Sequence, residues 1–242
     1  MSAIVPALLS ATVPTLDTFA RIIQSTPYIQ NCKQNVKKDV HSISYLLDEK
    51  ITKKMSQSDC IKLGNGLEHF FQNIIIQGAP NLRNIKPAKT PRGEKEMDHL
   101  FEDEAQKIIY YAELKSNLNL DTEKCKSTVE KCMEIERILR NKYPEHRIHM
   151  FLVGSRYLNI ATELNDMKVL NKYKTIKNNL CGVNDYFAKI GIPNMCFSDI
   201  SQYRDVLNIV AHEMFKFEND AAATSLNLAD PENMLRPTFG WT

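Results

Sequence analysis

The stretch that decides the fold is residues 96–117, EMDHLFEDEAQKIIYYAELKSN. Apolar, aromatic and β-branched residues dominate both of its ends, which predicts two neighbouring strands. The acidic run Glu102-Asp103-Glu104 between them predicts the turn. Two such strands bring Asp98 close to Glu113, because only fourteen residues separate them along the chain. Since alternate residues of a strand share a face, Glu113 and Lys115 are expected to point the same way.

This geometry would gather two carboxylates and an ammonium group at one end of a hairpin. Burying such a set is costly unless something compensates it, and a bound divalent cation is the expected compensation. The competing interpretation is a solvent-facing hairpin on which Glu113 and Lys115 form an exposed pair of little energetic value. We favour the buried site because the triplet Glu113-Leu114-Lys115 ends a strongly apolar strand, where a charged pair is unexpected.

Length and composition indicate an ordinary soluble domain. The 242 residues suit one large domain or one core with an added subdomain, and 25% charged with 43% hydrophobic residues is typical. The net charge of +2 neither requires nor excludes an anionic partner. No segment approaches the roughly 18 apolar residues of a membrane helix, so no membrane partner is expected.

Six cysteines occur without C-x-x-C pairs or zinc-ligand spacing, which predicts reduced thiols in a reducing, cytoplasmic compartment. The six histidines form no zinc-protease motif, and no Walker loop or dinucleotide fingerprint is present. The sequence therefore gives no support to these other chemistries.

The order of elements predicts three regions. Residues 1–57 are predicted to form a helical N-terminal region, with helices near 15–30 and 36–54. Residues 58–155 are the predicted core: a helix near 58–76, a loop over 77–94, the hairpin, a helix over 122–142 and a buried strand over 148–154. Residues 156–242, with a final helix near 201–217, are predicted to be mostly helical and to complete the same domain for recognition or dimerisation.

Two details of these helices carry further predictions. Pro144 ends the 122–142 helix, so the strand that follows completes a strand–helix–strand crossover. Gly64 and Gly66 lie inside the 58–76 helix, where glycine is unfavourable. They are expected to permit close packing or the close approach of a ligand.

The order helix, hairpin with D-x14-E-x-K, helix and strand resembles the PD-(D/E)xK nuclease superfamily and, within it, the type II restriction endonucleases. The resemblance covers about residues 60–154. It implies an α/β (α+β), restriction-endonuclease-like fold, in which helices flank a mixed central sheet, with helical N-terminal and C-terminal additions. It also implies a homodimer that uses Mg²⁺ to hydrolyse a specific short double-stranded DNA sequence, leaving 5′-phosphate ends. Met97 departs from the family pattern, which has proline before the aspartate.

The resemblance also implies roles for individual residues. Asp98 and Glu113 would be metal ligands, the Leu114 carbonyl a further ligand, and Lys115 the catalytic lysine. These residue types suit the chemistry, because Mg²⁺ prefers oxygen ligands and lysine is a compact cation. Glu68, on the preceding helix, matches an acidic residue that many members use for a second metal or a water.

Basic and amide side chains around the predicted site are candidate DNA contacts. Cations bind phosphates, and the N-terminus of the helix after the hairpin also favours them. The candidates are Arg83, Lys86, Lys89, Arg92, Asn117, Asn119, Lys124 and Lys126. Two alternatives stay open: another nuclease of the same superfamily, acting in repair or on junctions, and a non-catalytic DNA-binding or interaction protein of the same fold.

Overall fold

A five-stranded mixed sheet lies at the centre of the computed structural model, which describes residues 13–31, 47, 55–87 and 95–215. The strands of this described part lie side by side in chain order: β1 (Arg83–Asn84), β2 (His99–Asp103), β3 (Ile108–Lys115), β4 (Arg147–Gly154) and β5 (Leu180–Cys181). β1, β2 and β3 pair antiparallel, whereas β3, β4 and β5 pair parallel. The prediction of a mixed α/β sheet flanked by helices is confirmed.

Helices cover both faces of the sheet. They are α1 (Leu16–Gln24), α2 (Pro27–Gln30), α3 (Gln57–Gly78), α4 (Thr122–Lys142), α5 (Ile160–Glu163), α6 (Met167–Lys172), α7 (Val183–Lys189) and α8 (Ile200–Phe215), with short 3₁₀ turns at Lys174–Asn179 and Pro193–Met195. Tyr110 and Ala112 of β3 share a core with α1, α3, α7 and α8. Ile109 and Tyr111 face the other way, into a second core with α4 and α6. This alternation gives three layers, and it decides which residues of β3 meet which helices.

The β3–α4–β4 crossover is built from elements that follow one another directly along the chain. The Asp121 side chain caps α4 by accepting a hydrogen bond from the Lys124 amide at 2.8 Å. Cys125, Cys132 and Ile135 are buried along its inner stripe. The helix occupies the predicted residues, and the predicted pairing of β3 with the strand that follows it is parallel, as expected for a crossover.

The hairpin differs from its predicted limits. The prediction placed Glu102 and Asp103 in the turn, but both are buried in β2, and the turn spans residues 104–107. Glu102 pairs with Arg83 and lies 3.1 Å from His146, from Oε1 to Nε2. Asp103 accepts a hydrogen bond from the Asn81 amide at 2.8 Å. These partners, distant in the chain, compensate the carboxylates and so extend the strand.

The helical predictions are partly corrected. The single helix predicted near 15–30 is two helices. The helical conformation is interrupted at Ser25 and Thr26, and Pro27 begins α2. The predicted loop 77–94 contains β1, and its residues 88–94 lie outside the described residues. The helix predicted near 36–54 also lies outside them, apart from Leu47. α8 begins as predicted, and the description ends with it at residue 215.

Two simpler expectations concern membranes and cysteines. Within residues 13–31, 55–87 and 95–215, no helix has the length and apolar character needed to cross a bilayer. Five cysteines there are free thiols: Cys60, Cys125, Cys132, Cys181 and Cys196.

Gly182 allows the end of β5 to lie against the backbone that follows β4. A Cβ atom at this position would lie 2.2 Å from the Leu158 carbonyl oxygen, and backbone cannot move aside as a flexible side chain can. Gly182→Ala is therefore expected to lower the free energy of unfolding by about 3 kcal/mol. Urea denaturation measures this change, and a midpoint equal to that of the parent protein would contradict the predicted clash.

Candidate functional site

Asp98 lies at the end of the sheet, one residue before β2. The last pair of the β2–β3 ladder joins His99 to Ala112, so Asp98 lies opposite Glu113. Its Oδ2 atom accepts a hydrogen bond from the Leu114 amide at 2.6 Å. The predicted approach of the aspartate to the E-x-K triplet is confirmed.

The carboxylate of Glu113 is buried between two ammonium groups. Its Oε1 lies 2.6 Å from Lys115 Nζ, and its Oε2 lies 2.6 Å from Lys131 Nζ. The Tyr111 hydroxyl also donates to Oε2, at 3.3 Å. The side chain of Glu113 is 1% exposed. Glu113 and Lys115 therefore point the same way, as predicted, and the alternative of an exposed surface pair is wrong.

Lys131 is a member of the site that the sequence prediction missed. It projects from α4 one residue before the buried Cys132, and its ammonium group reaches Glu113 across the layer between helix and sheet. Its position next to the buried stripe was the only sequence signal. The charge of the buried Glu113 carboxylate is thus compensated by two lysines, Lys115 from β3 and Lys131 from α4.

The two carboxyl groups of the site have different electrostatic surroundings. Burial, together with the neighbouring charges of Glu113 and Glu68, raises the pKa of Asp98 to about 7, although the hydrogen bond from the Leu114 amide opposes the rise. Burial alone lowers the pKa of Lys115, but the charges of Glu113 and Asp98 outweigh it, so its net pKa lies above the ordinary value. Lys115 is therefore a cation at neutral pH, whereas Asp98 gains or loses its proton close to neutral pH.

The raised pKa of Asp98 predicts a pH-dependent effect of Asp98→Asn in metal-free protein. The folded state holds the proton up to about pH 7, whereas the ordinary value is 3.8. The parent protein therefore loses stability as the pH rises through this window, and the neutral amide does not. The two proteins should be equally stable below about pH 4, and the variant more stable by about 1–4 kcal/mol above pH 7. Urea titrations with EDTA from pH 4 to 8 measure this; a constant difference across the range would contradict it.

An open cleft of about 470 Å³ lies beside these residues. One wall is α3, which contributes Gly64, Asn65 and Glu68, and the other is formed by the strand ends, with Asp98 and Lys115. Glu113 does not line the cleft and lies behind Lys115. The cleft lies where β3 and β4 have their carboxyl ends, the edge at which ligands bind in many α/β sheets.

Glu68 is fixed on the wall opposite Lys115. Its Oε1 atom lies 2.5 Å from Lys86 Nζ. Its backbone carbonyl accepts a hydrogen bond from Nε2 of His99 at 2.9 Å, so Nδ1 of that ring accepts from the Tyr186 hydroxyl at 3.2 Å. His99 is fully buried, and burial lowers its pKa to about 4, which keeps it neutral. Because side chains alternate along β2, the His99 ring faces the layer that contains α3, and its hydrogen bond to the Glu68 carbonyl links β2 to α3.

Three of the predicted DNA contacts lie next to the site. Lys86 borders the cleft through its pair with Glu68. Asn117 and Asn119 line a second cavity of about 420 Å³, together with Arg156 and Arg204. The Tyr157 hydroxyl donates to the Asn117 side chain at 3.3 Å. Amide and guanidinium groups are side chains that can read base edges, and the same cavity is also lined by the carboxylates of Glu163 and Asp166.

The other predicted contacts have different surroundings. Lys124 lies near Lys115, and both line a shallow cavity at the start of α4. Lys126 is exposed on α4, 3.9 Å from Glu130. Arg83 pairs with Glu102 at the end of β2 away from the cleft. Lys89 and Arg92 lie outside the described residues.

The chemistry of the carboxyl groups at this cleft suits one Mg²⁺ ion. In the described part of the chain, no three His, Cys, Asp or Glu side chains gather into a metal-binding group. Mg²⁺, however, commonly takes one or two carboxylates and fills its remaining positions with water. Asp98 has a raised pKa beside Glu113, which means that this position favours added positive charge. Asp98 and Leu114 line the cleft, so Asp98 and the Leu114 carbonyl would hold the ion, and Glu113 would join them by exchanging one of its two lysine contacts for the ion.

Comparison with known proteins provides no family for this chain. No protein-family model, no curated protein and no solved structure matches it. The functional argument therefore rests on the residues themselves and on their geometry.

Proposed function

We propose that this chain is a Mg²⁺-dependent type II restriction endonuclease, which hydrolyses phosphodiester bonds within a specific short sequence of double-stranded DNA and leaves 5′-phosphate ends. The observation that carries the proposal is the junction of Asp98 with the Glu113-Leu114-Lys115 triplet at the mouth of a cleft. Carboxylates can hold a divalent cation and a lysine can stabilise charge on phosphate oxygens, and both effects assist phosphodiester hydrolysis.

Within this proposal, the residues of the site have separate roles in catalysis and positioning. Lys115 is held by Glu113, faces the cleft and stays charged, so it orients an attacking water and stabilises charge on the phosphate oxygens. Asp98 is fixed by the Leu114 amide, and Lys131 holds Glu113 from behind. Bound Mg²⁺ would supply further neutralisation of the phosphate and activation of water.

The proposed substrate also explains the surroundings of the site. Lys86 pairs with Glu68 of the cleft wall, and Lys124 lines the neighbouring cavity that it shares with Lys115, so both are placed to contact phosphates near the cleaved bond. The cavity with Asn117, Asn119 and Arg156 lies just past the end of β3, within reach of bases next to that bond. Cutting both strands of a symmetric site requires two such centres, so we include a homodimer in the proposal.

Digestion of a sequenced supercoiled plasmid with Mg²⁺ tests the proposal. Discrete fragments whose sequenced ends share one short motif and carry 5′-phosphates would support it. Random nicking or cutting only at branched DNA would favour another nuclease of the same kind. Binding of duplex fragments without any cleavage would favour a non-catalytic DNA-binding protein. Lys115→Ala protein, purified in the same way, is the control for a contaminating nuclease, and EDTA is the control for metal dependence.

A further inference from the structure

The two glycines inside α3 have opposite surroundings. A Cβ atom on Gly66 would lie 2.4 Å from the sulfur of Met214, so this glycine allows α8 to pack closely on α3. A Cβ atom on Gly64 would have no atom within 4 Å among the described residues. Packing therefore explains Gly66, and it does not explain Gly64.

A glycine in a helix interior is unfavourable, since alanine in the same place leaves less backbone entropy to be lost on folding. α3 extends seven residues before Gly64 and fourteen after it, so Gly64 is not at a helix end. Its φ angle is an ordinary helical one, which alanine also adopts. Within residues 13–31, 55–87 and 95–215, no contact of the free protein therefore accounts for glycine at this position.

Gly64 lines the candidate cleft, on the wall opposite the strand ends. It lies in the same stripe of α3 as Ile61, Asn65 and Glu68, at helical spacing, and all four border the cleft. Ile61 is 61% exposed, although it is a large apolar residue. Lys115 and Ser116 form the facing wall. A missing side chain in the middle of this stripe widens the cleft at the level of the candidate site.

We propose that Gly64 marks the place where bound DNA approaches α3, and that its missing side chain leaves room for the sugar–phosphate backbone of the strand facing Lys115. This inference rests on the proposed function. It assigns α3, in addition to the strand ends, to the substrate-binding surface. Asn65, an exposed amide beside Gly64, is then placed to donate to a phosphate oxygen.

A pair of substitutions tests the inference through two separate readouts. Gly64→Ala should raise the melting temperature by roughly 1–4 °C, because it removes a helix-interior glycine without a clash. Gly66→Ala is the matched comparison: its Cβ atom would displace the sulfur of Met214, so the melting temperature should rise less than that of Gly64→Ala. Despite its greater stability, Gly64→Ala should cleave supercoiled plasmid more slowly with Mg²⁺, and Gly64→Leu should do so by at least about tenfold, through a higher KM.

Ser58→Leu is the control for added bulk, because Ser58 is exposed on the same helix and does not line the cleft. It should cleave like the parent protein. If Gly64→Leu cleaves as fast as Ser58→Leu, or if Gly64→Ala lowers the melting temperature, the inference is overturned while the proposed function stands. If the parent protein neither cleaves plasmid nor shifts duplex fragments on a gel, the proposed function fails and the inference falls with it.

Discussion

Lys115→Met is expected to slow Mg²⁺-dependent DNA cleavage about a thousandfold or more, while duplex binding stays measurable. The reason is that Lys115 joins two features: it contacts Glu113 and it lines the cleft. Removing one preorganised charge that stabilises a transition state typically costs two to three orders of magnitude, and this lysine also orients the water. Methionine is unbranched and only one atom shorter than lysine, so most of the packing of the side chain is preserved.

Lys131→Met provides the matched control for this prediction. Lys131 lies at the same 2.6 Å from Glu113, but it does not line the cleft. Its loss is expected to slow cleavage by about tenfold or less, through a less firmly held Glu113. Single-turnover rates on plasmid measure both variants. Equal losses would mean that Lys115 acts only by compensating Glu113, which would contradict its catalytic role.

Asp98→Asn is expected to weaken binding of Ca²⁺, a non-hydrolytic substitute for Mg²⁺, by at least about tenfold to a hundredfold. The amide keeps the shape and can still accept the hydrogen bond from Leu114, but it lacks the charge. Loss of an outer-shell partner already costs 10–100-fold in metal affinity, so loss of a charged ligand should cost no less.

Isothermal titration calorimetry at pH 8 measures this change directly. Glu104→Gln is the control, because Glu104 is an exposed carboxylate in the hairpin turn, at the other end of β2. It should leave the affinity unchanged. Equal Ca²⁺ affinity of Asp98→Asn and the parent protein would remove Asp98 from the metal site.

The parts of the site that the sequence predicted depend on short-range geometry. Alternation along one strand places Glu113 beside Lys115, and antiparallel pairing of adjacent strands brings Asp98 to Leu114. The limits of α4 follow from a cap at Asp121 and a stop at Pro144. Each of these features is determined by residues that are close together in the chain.

The parts that the sequence did not predict depend on contacts between distant residues. The reach of Lys131 to Glu113 depends on how α4 is rotated over β3, which no local pattern encodes. The extension of β2 through Glu102 depends on Arg83, in strand β1, and on His146, in the turn just before β4. The interruption before Pro27 is different, because proline at a helix start is a local signal, whereas the apolar spacing of residues 15–30 alone predicts one continuous helix.

The sheet has a consequence for assembly. In the part of the chain that the structure describes, both outer strands, β1 and β5, are only two residues long. Such edges offer few free backbone groups for a second chain, so the sheet is poorly suited to grow by strand addition. A symmetric pair of these molecules is therefore expected to meet through helices or loops. Under the proposed function, side-chain packing across that contact would position the two clefts, and surface substitutions there would change the spacing of the two cuts.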